Sequence, residues 1–135
     1  MIVENEKINS LEFNDFIIES MHLNFRSKNF VIKTDGAYLV LGKETFELKN
    51  GIIKIFNWEN ITFSDVDDIN KTHIRTQLNE NNYDAEDILE EINLWEYSNK
   101  KLAFGGYGKK DWILFEIDSP EIEITFSDIF NRRTW

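Results

Sequence analysis

Residues 48–58 read LKNGIIKIFNW. Asn50-Gly51 is a strong two-residue hairpin signal, because both residues tolerate positive φ. Phe46 and Leu48 alternate with polar neighbours before it, and Ile52–Trp58, IIKIFNW, follows with five β-branched or aromatic residues in seven. The stretch therefore predicts a strand, a turn at Lys49-Asn50-Gly51 and a return strand.

The same pattern extends both ways. Upstream, Met21, Leu23 and Phe25 alternate with polar residues. Phe30–Lys33 and Tyr38–Leu41 are short apolar runs separated by Thr34-Asp35-Gly36, a turn signal. Downstream, Ile61–Phe63 continues the sheet. Lys101–Phe104 and Asp111–Ile117 flank Gly105-Gly106-Tyr107-Gly108-Lys109-Lys110, which reads as a glycine-rich hairpin loop. Ser119-Pro120 turns the chain into Ile122, Ile124 and Phe126, a strand with one wet face.

Residues 81–97, NNYDAEDILEEINLWEY, depart from this two-residue period. On a helical wheel, Ala85, Ile88, Leu89, Ile92 and Trp95 fall on one side, and Glu86, Asp87, Glu90 and Glu91 on the other. Asp84 suits the N-cap. Residues 8–19 suit either a short helix or an irregular strand, and 68–80 read as a loop with room for one turn of helix. The expected class is α+β: mainly antiparallel sheet or sandwich of about six to eight strands, with one central acidic amphipathic helix at about 84–95. A chain of 135 residues without a Gly-, Ser- or Pro-rich linker is read as one domain, 1–135.

Composition narrows function. The apolar fraction is 41%, with 11 Phe and 4 Trp, enough for a core without metal or disulfide. Absence of cysteine removes thiolate metal sites and cysteine nucleophiles. The amino-terminal MIVENEKINS lacks the basic start and apolar stretch of a secretion signal, so the expected location is cytoplasmic. Net charge is −10, which disfavours direct binding to nucleic acid or anionic membrane. Segment 59–96 holds eleven carboxylates against Lys71 and Arg75, a balance of −9. Glu86–Glu90 and Asp87–Glu91 would be like-charge pairs at i,i+4 on a helix. Stability alone would favour lysines there, so the acids suggest a binding face. The candidate contact residues are Asp65, Asp67, Asp68, Asp84, Glu86, Asp87, Glu90, Glu91 and Trp95. Trp95 would be the anchor among the charges.

Specific chemistry is sparse. Asp65-Val66-Asp67-Asp68-Ile69-Asn70 starts like a calcium loop but has Ile69, Asn70 and Thr76 where an EF-hand needs a ligand, Gly and Glu. FGGYGKK departs from a P-loop at Ala103 and Lys110. Neither a cofactor nor a metal is expected. Only His22 and His73 could act as a base near neutral pH, and neither lies in a nucleophile or paired-histidine motif. The alternative function is a small-ligand protein or enzyme with a site in the sheet, using either histidine with carboxylates.

The hairpin LKNGIIKIFNW, the acidic NYDAEDILEE and the Asn/Ile/Lys-heavy composition resemble bacterial immunity proteins of contact-dependent growth inhibition and related polymorphic toxin systems. The resemblance implies a non-enzymatic inhibitor that occludes a cognate toxin domain, commonly a basic nuclease acting on RNA or DNA, in the producing cell's cytoplasm. It carries over no site residues.

Overall fold

A computed structural model describes residues 1–67, 72–77, 89–108 and 112–134, with side chains at 1–64, 89–108 and 112–129. The described strands are β1 (Ile2–Val3), β2 (Leu11–Glu12), β3 (Ile18–Asn24), β4 (Asn29–Leu41), β5 (Glu44–Phe56), β6 (Asn60–Asp67), β7 (Thr72–Gln77), β8 (Leu94–Ser98), β9 (Lys101–Tyr107), β10 (Trp112–Asp118) and β11 (Glu121–Thr134). A 3₁₀ helix, Asn5–Ser10, joins β1 to β2. One sheet has the order β1-β11-β5-β4-β2, with β3 also on β4; the other runs β7-β6-β10-β9-β8. Every described pairing between these strands is antiparallel.

Two chain crossings join the sheets at one corner. β5 passes into β6 through Asn57 and β10 into β11 through Ser119, both at positive φ. The crossings run side by side: Glu59 N donates to Asp118 O at 2.9 Å, and Asn57 Nδ2 donates to a Glu121 carboxylate oxygen. Strands that switch sheets through such bends let two twisted sheets close over a shared core. Phe30, from the first sheet, meets Phe104 and Phe115, from the second, with ring centroids 5.8 and 5.4 Å away. Phe104 and Phe115 stack at 5.2 Å, and Phe63 meets Phe115 edge-on at 5.6 Å. Ile32, Leu48, Ile53, Ile55, Leu102 and Ile117 are also fully buried.

The predicted turns fall elsewhere. β5 runs straight through Asn50-Gly51, and β4 through Thr34-Asp35-Gly36. The hairpin between them turns at Gly42-Lys43, with Gly42 at φ +61°. The glycine and asparagine signals instead mark a kink running across the sheet. Thr34 and Gly36 pair with Gly51 and Lys49, which pair in turn with Phe126 and Asp128. Buried positions are even-numbered at Phe30, Ile32 and Thr34, then odd-numbered at Ala37 and Leu39. On β5 they slip from Ile55 and Ile53 to Leu48. Asn50, at φ +52°, absorbs part of this bend, and Asn is one of the few non-glycine residues suited to it. Side chains bridge the broken ladder: Asn50 Nδ2 donates to Ser127 Oγ at 3.3 Å, and Ser127 Oγ to Lys49 O at 3.2 Å. A Cβ at Gly51 would lie 2.5 Å from Phe126 Cε1, so glycine is required there by a ring lying on the backbone.

Three further expectations are corrected. Gly105-Gly106-Tyr107 is not loop but the end of β9, paired with Leu114, Ile113 and Trp112. The expected loop 68–80 contains β7, paired along β6 from Thr62 to Asp67. The predicted helix 84–95 is not seen: Leu94 and Trp95 begin β8, and Leu89 forms an isolated bridge to Gly108. Its first half, Asp84–Ile88, lies outside the described residues. Among the described residues no helix is long and apolar enough to cross a membrane.

Candidate functional site

The segment Leu89–Asn93 bends at Glu90 and lies between the β9 end and the turn before β3. Leu89 and Ile92 are buried, while Glu90 is exposed and Glu91 half-buried. Glu90 is held on both sides by main chain: its N–H donates to Tyr107 O at 2.9 Å, and its C=O accepts from Ile18 N at 2.9 Å. Asn93 N donates to Gly105 O at 2.8 Å, and Asn93 Oδ1 accepts from Tyr107 N at 3.3 Å. A Cβ at Gly106 would collide with Glu91 O and approach Asn93 Oδ1 within 2.6 Å. Gly106 thus gives the segment room to lie against β9. These long-range bonds outweigh local helix preference, which summed over a few residues is a weak term.

The segment brings acids together from distant parts of the chain. Glu91 Oε1 accepts from Asn93 Nδ2 at 3.1 Å and from Asp15 N at 3.4 Å. Asp35, at the sheet kink, accepts from Ile17 N through Oδ1 at 2.8 Å. Glu19 follows Ile18 on β3. Asp15, Glu19, Asp35 and Glu90 are exposed. The ion pairs found among the described residues are Lys7–Glu4, Lys101–Glu116 and Lys101–Asp118, so none neutralises these acids. Large apolar side chains lie exposed beside them: Ile17 at 60%, Tyr107 at 59% and Leu94 at 38%.

Of the predicted contact residues, Glu90 and Glu91 belong to this surface. Trp95 does not act as an exposed anchor. It is half-buried, its Nε1 donates to Ile8 O at 2.9 Å, and its ring meets Phe13 at 4.9 Å and Phe104 at 6.0 Å. It is a wedge between the 3₁₀ helix and the core. Trp95→Phe is expected to cost about 0.5–1.5 kcal/mol in urea denaturation, because it removes one hydrogen bond to Ile8 O, which keeps that from Leu11 N, together with some ring area. Asp65 and Asp67 lie in β6 opposite Ile74 and Thr72, with side chains outside the described set. Asp68, Asp84, Glu86 and Asp87 lie outside the described residues altogether. Asp15, Glu19 and Asp35 were missed, because their approach depends on the kink and on the path of residues 89–93. The only local sign was Asn14-Asp15, a turn-like pair, with Asp15 at φ +73°.

No family model matches the chain, and no curated protein or solved structure does either.

Of the residues of the alternative reading, only His22 has a described side chain, and it lines neither of the two described clefts. His22 is exposed on β3 opposite Val31. His73 lies in β7 opposite Val66, its side chain outside the described set. A cleft of about 310 Å³ is lined by Asn5, Ile8, Phe56, Tyr97, Pro120, Glu121 and Ile122. A smaller one, about 140 Å³, lies between β2 and residues 92–95. Neither is lined by a histidine. Among the described residues no three His, Asp or Glu side chains are grouped to hold a metal ion.

Proposed function

We propose that this chain is an immunity protein that binds and neutralises a cationic toxin domain, a nuclease by preference, in the cytoplasm of the cell that makes both. The observation that carries the reading is the set of acids Asp15, Glu19, Asp35, Glu90 and Glu91, free of any described ion pair, on a chain of net charge −10. A nuclease must present bases to hold phosphates. Carboxylates on the sheet, at Glu19 and Asp35, and on the backbone beside it, at Asp15, Glu90 and Glu91, offer those bases a competing partner. Opposite charge also raises the encounter rate, towards about 10⁸–10⁹ M⁻¹s⁻¹ at low salt. A toxin made in the same cell must be caught before it acts, so rate matters as much as affinity. Inhibition is by occlusion, without a catalytic step or a cofactor on this chain.

The test is co-expression with the protein encoded immediately upstream. The proposal expects growth to be restored and the two chains to purify as a complex. Continued growth arrest, or failure of the purified chains to associate at micromolar concentration, contradicts it.

A further inference from the structure

We infer that the exposed row Ile17–Glu90–Tyr107, extended by Leu94, is the docking surface for a cationic segment of a partner protein that also carries apolar side chains. The inference deepens the proposed function and rests on it. It places the partner's contact where the end of the acidic run, at Glu90 and Glu91, meets the start of β3 and the end of β9.

Three backbones lie side by side in this row. Ile18 N donates to Glu90 O, and Glu90 N donates to Tyr107 O, so residue 90 is a single rung between the start of β3 and the end of β9. Leu94 pairs with Gly105, two residues before Tyr107, and alternation along β9 puts Leu94 and Tyr107 on one face. That face is the outer one, since Leu102 and Phe104 are buried on the other. Single exposed apolar residues are ordinary. Leu94 and Tyr107 share a face, and Ile17 lies two hydrogen-bonded main chains from Tyr107; backbone fixed in this way has little ordering left to lose on binding.

The charge of the described residues around the row selects the occupant; Lys109 and Lys110, which follow Gly108, lie outside them. Asp15 and Glu19 flank Ile17 in sequence, Asp35 bonds to its N–H, and Glu91 follows Glu90. Lys33 opposes Ser20 on the neighbouring strand and makes no described ion pair with them. A second copy of this chain would bring the same negative charge against itself. A purely apolar partner would desolvate these carboxylates with nothing to pair them, which is costly. A segment with lysine or arginine around one or two apolar residues satisfies both parts: the apolar residues cover Ile17, Tyr107 and Leu94, and the bases meet the acids. This is the usual division of an interface into an apolar centre and a polar rim.

The test uses two fluorescein-labelled octapeptides with four lysines each, one with two isoleucines and the other with two serines in their place. Anisotropy titration against the full chain at about 50 mM salt is expected to show the isoleucine peptide binding about ten-fold tighter, a difference of about 1.4 kcal/mol. Ile17→Ser with Tyr107→Ser is expected to bring it down to the serine peptide. Ile2→Ser, which alters an apolar residue 71% exposed on β1, should leave it unchanged. Backbone amide shifts on binding should cluster at residues 15–19, 90–94 and 105–107. Equal binding of the two peptides, or an unchanged Ile17→Ser/Tyr107→Ser variant, overturns the docking row while leaving a purely electrostatic inhibitor standing. Binding of neither peptide removes the row and the cationic partner together.

Discussion

Phe104→Ala is expected to destabilise the fold by about 3–5 kcal/mol, the usual range for deleting a buried ring. Phe104 is fully buried and touches rings from three directions: Phe30 across the sheet interface, Phe115 on the neighbouring strand, and Trp95 on the other. Removing it leaves a void bounded by aromatic rings, which fill space poorly by small shifts. Each lost aromatic pair adds about 0.5–1.5 kcal/mol to the area term. A domain of this size has about 5–15 kcal/mol in total, so the variant should lie near the edge of folding. Urea denaturation followed by tryptophan fluorescence checks this. A cost below about 1 kcal/mol would mean that the two sheets do not close over this cluster. Tyr107→Ser, on the exposed end of the same strand, should shift stability by no more than about 0.5 kcal/mol.

Gly106→Ala is expected to have the second largest effect, about 1–3 kcal/mol of overpacking. Its methyl group would meet Glu91 O, a backbone atom, and Asn93 Oδ1. The side-chain contact can rotate away, but the carbonyl moves only if residues 91–93 lift from β9. The bonds from Asn93 N to Gly105 O and from Glu90 N to Tyr107 O lie in the path of that movement. Amide exchange should therefore speed up at Glu90, Asn93 and Ile18, while Ile113, Phe115 and Ile117 on β10 stay protected. Uniform loss of protection would show that the segment is part of the global core, and no loss would show that it is not pinned there.

The sheets were legible where one face is wet and the other dry. Ile122, Ile124 and Phe126 alternate with polar residues, and their strand forms as read. The stretches read at 101–104 and 111–117 likewise fall on neighbouring strands, β9 and, from Trp112, β10, with Leu102, Phe104, Ile113, Phe115 and Ile117 inside. Turn signals misled where their chemistry served another purpose. Asn50-Gly51 supplies a positive φ and a bare backbone, which a hairpin needs, but so does a kink with Phe126 lying on it. Nothing within LKNGIIKIFNW separates the two uses, because the deciding ring is 75 residues away in sequence. Leu89 and Ile92 were rightly placed inside. A spacing of three residues suits one face of a helix, but a segment that bends at Glu90 between its two contacts buries the same pair. The slot at Gly106 decided between them. For the binding surface, acid clustering in the sequence pointed to Glu90 and Glu91 only. Asp15, Glu19 and Asp35 arrive through tertiary structure, and Trp95 leaves because its indole N–H finds Ile8 O.

The central claim is that negative potential on this surface captures a cationic protein. Stopped-flow association of the chain with the product of the upstream gene, measured across salt concentration, tests it most directly. Glu19→Lys with Glu90→Lys is the variant to compare, since no described side-chain hydrogen bond or ion pair is lost. The wild-type rate should fall steeply with added salt. The variant should associate at least about ten-fold more slowly at low salt, with a flattened dependence, while its urea midpoint is unchanged. Identical rates and identical salt dependence in the two proteins would contradict the account.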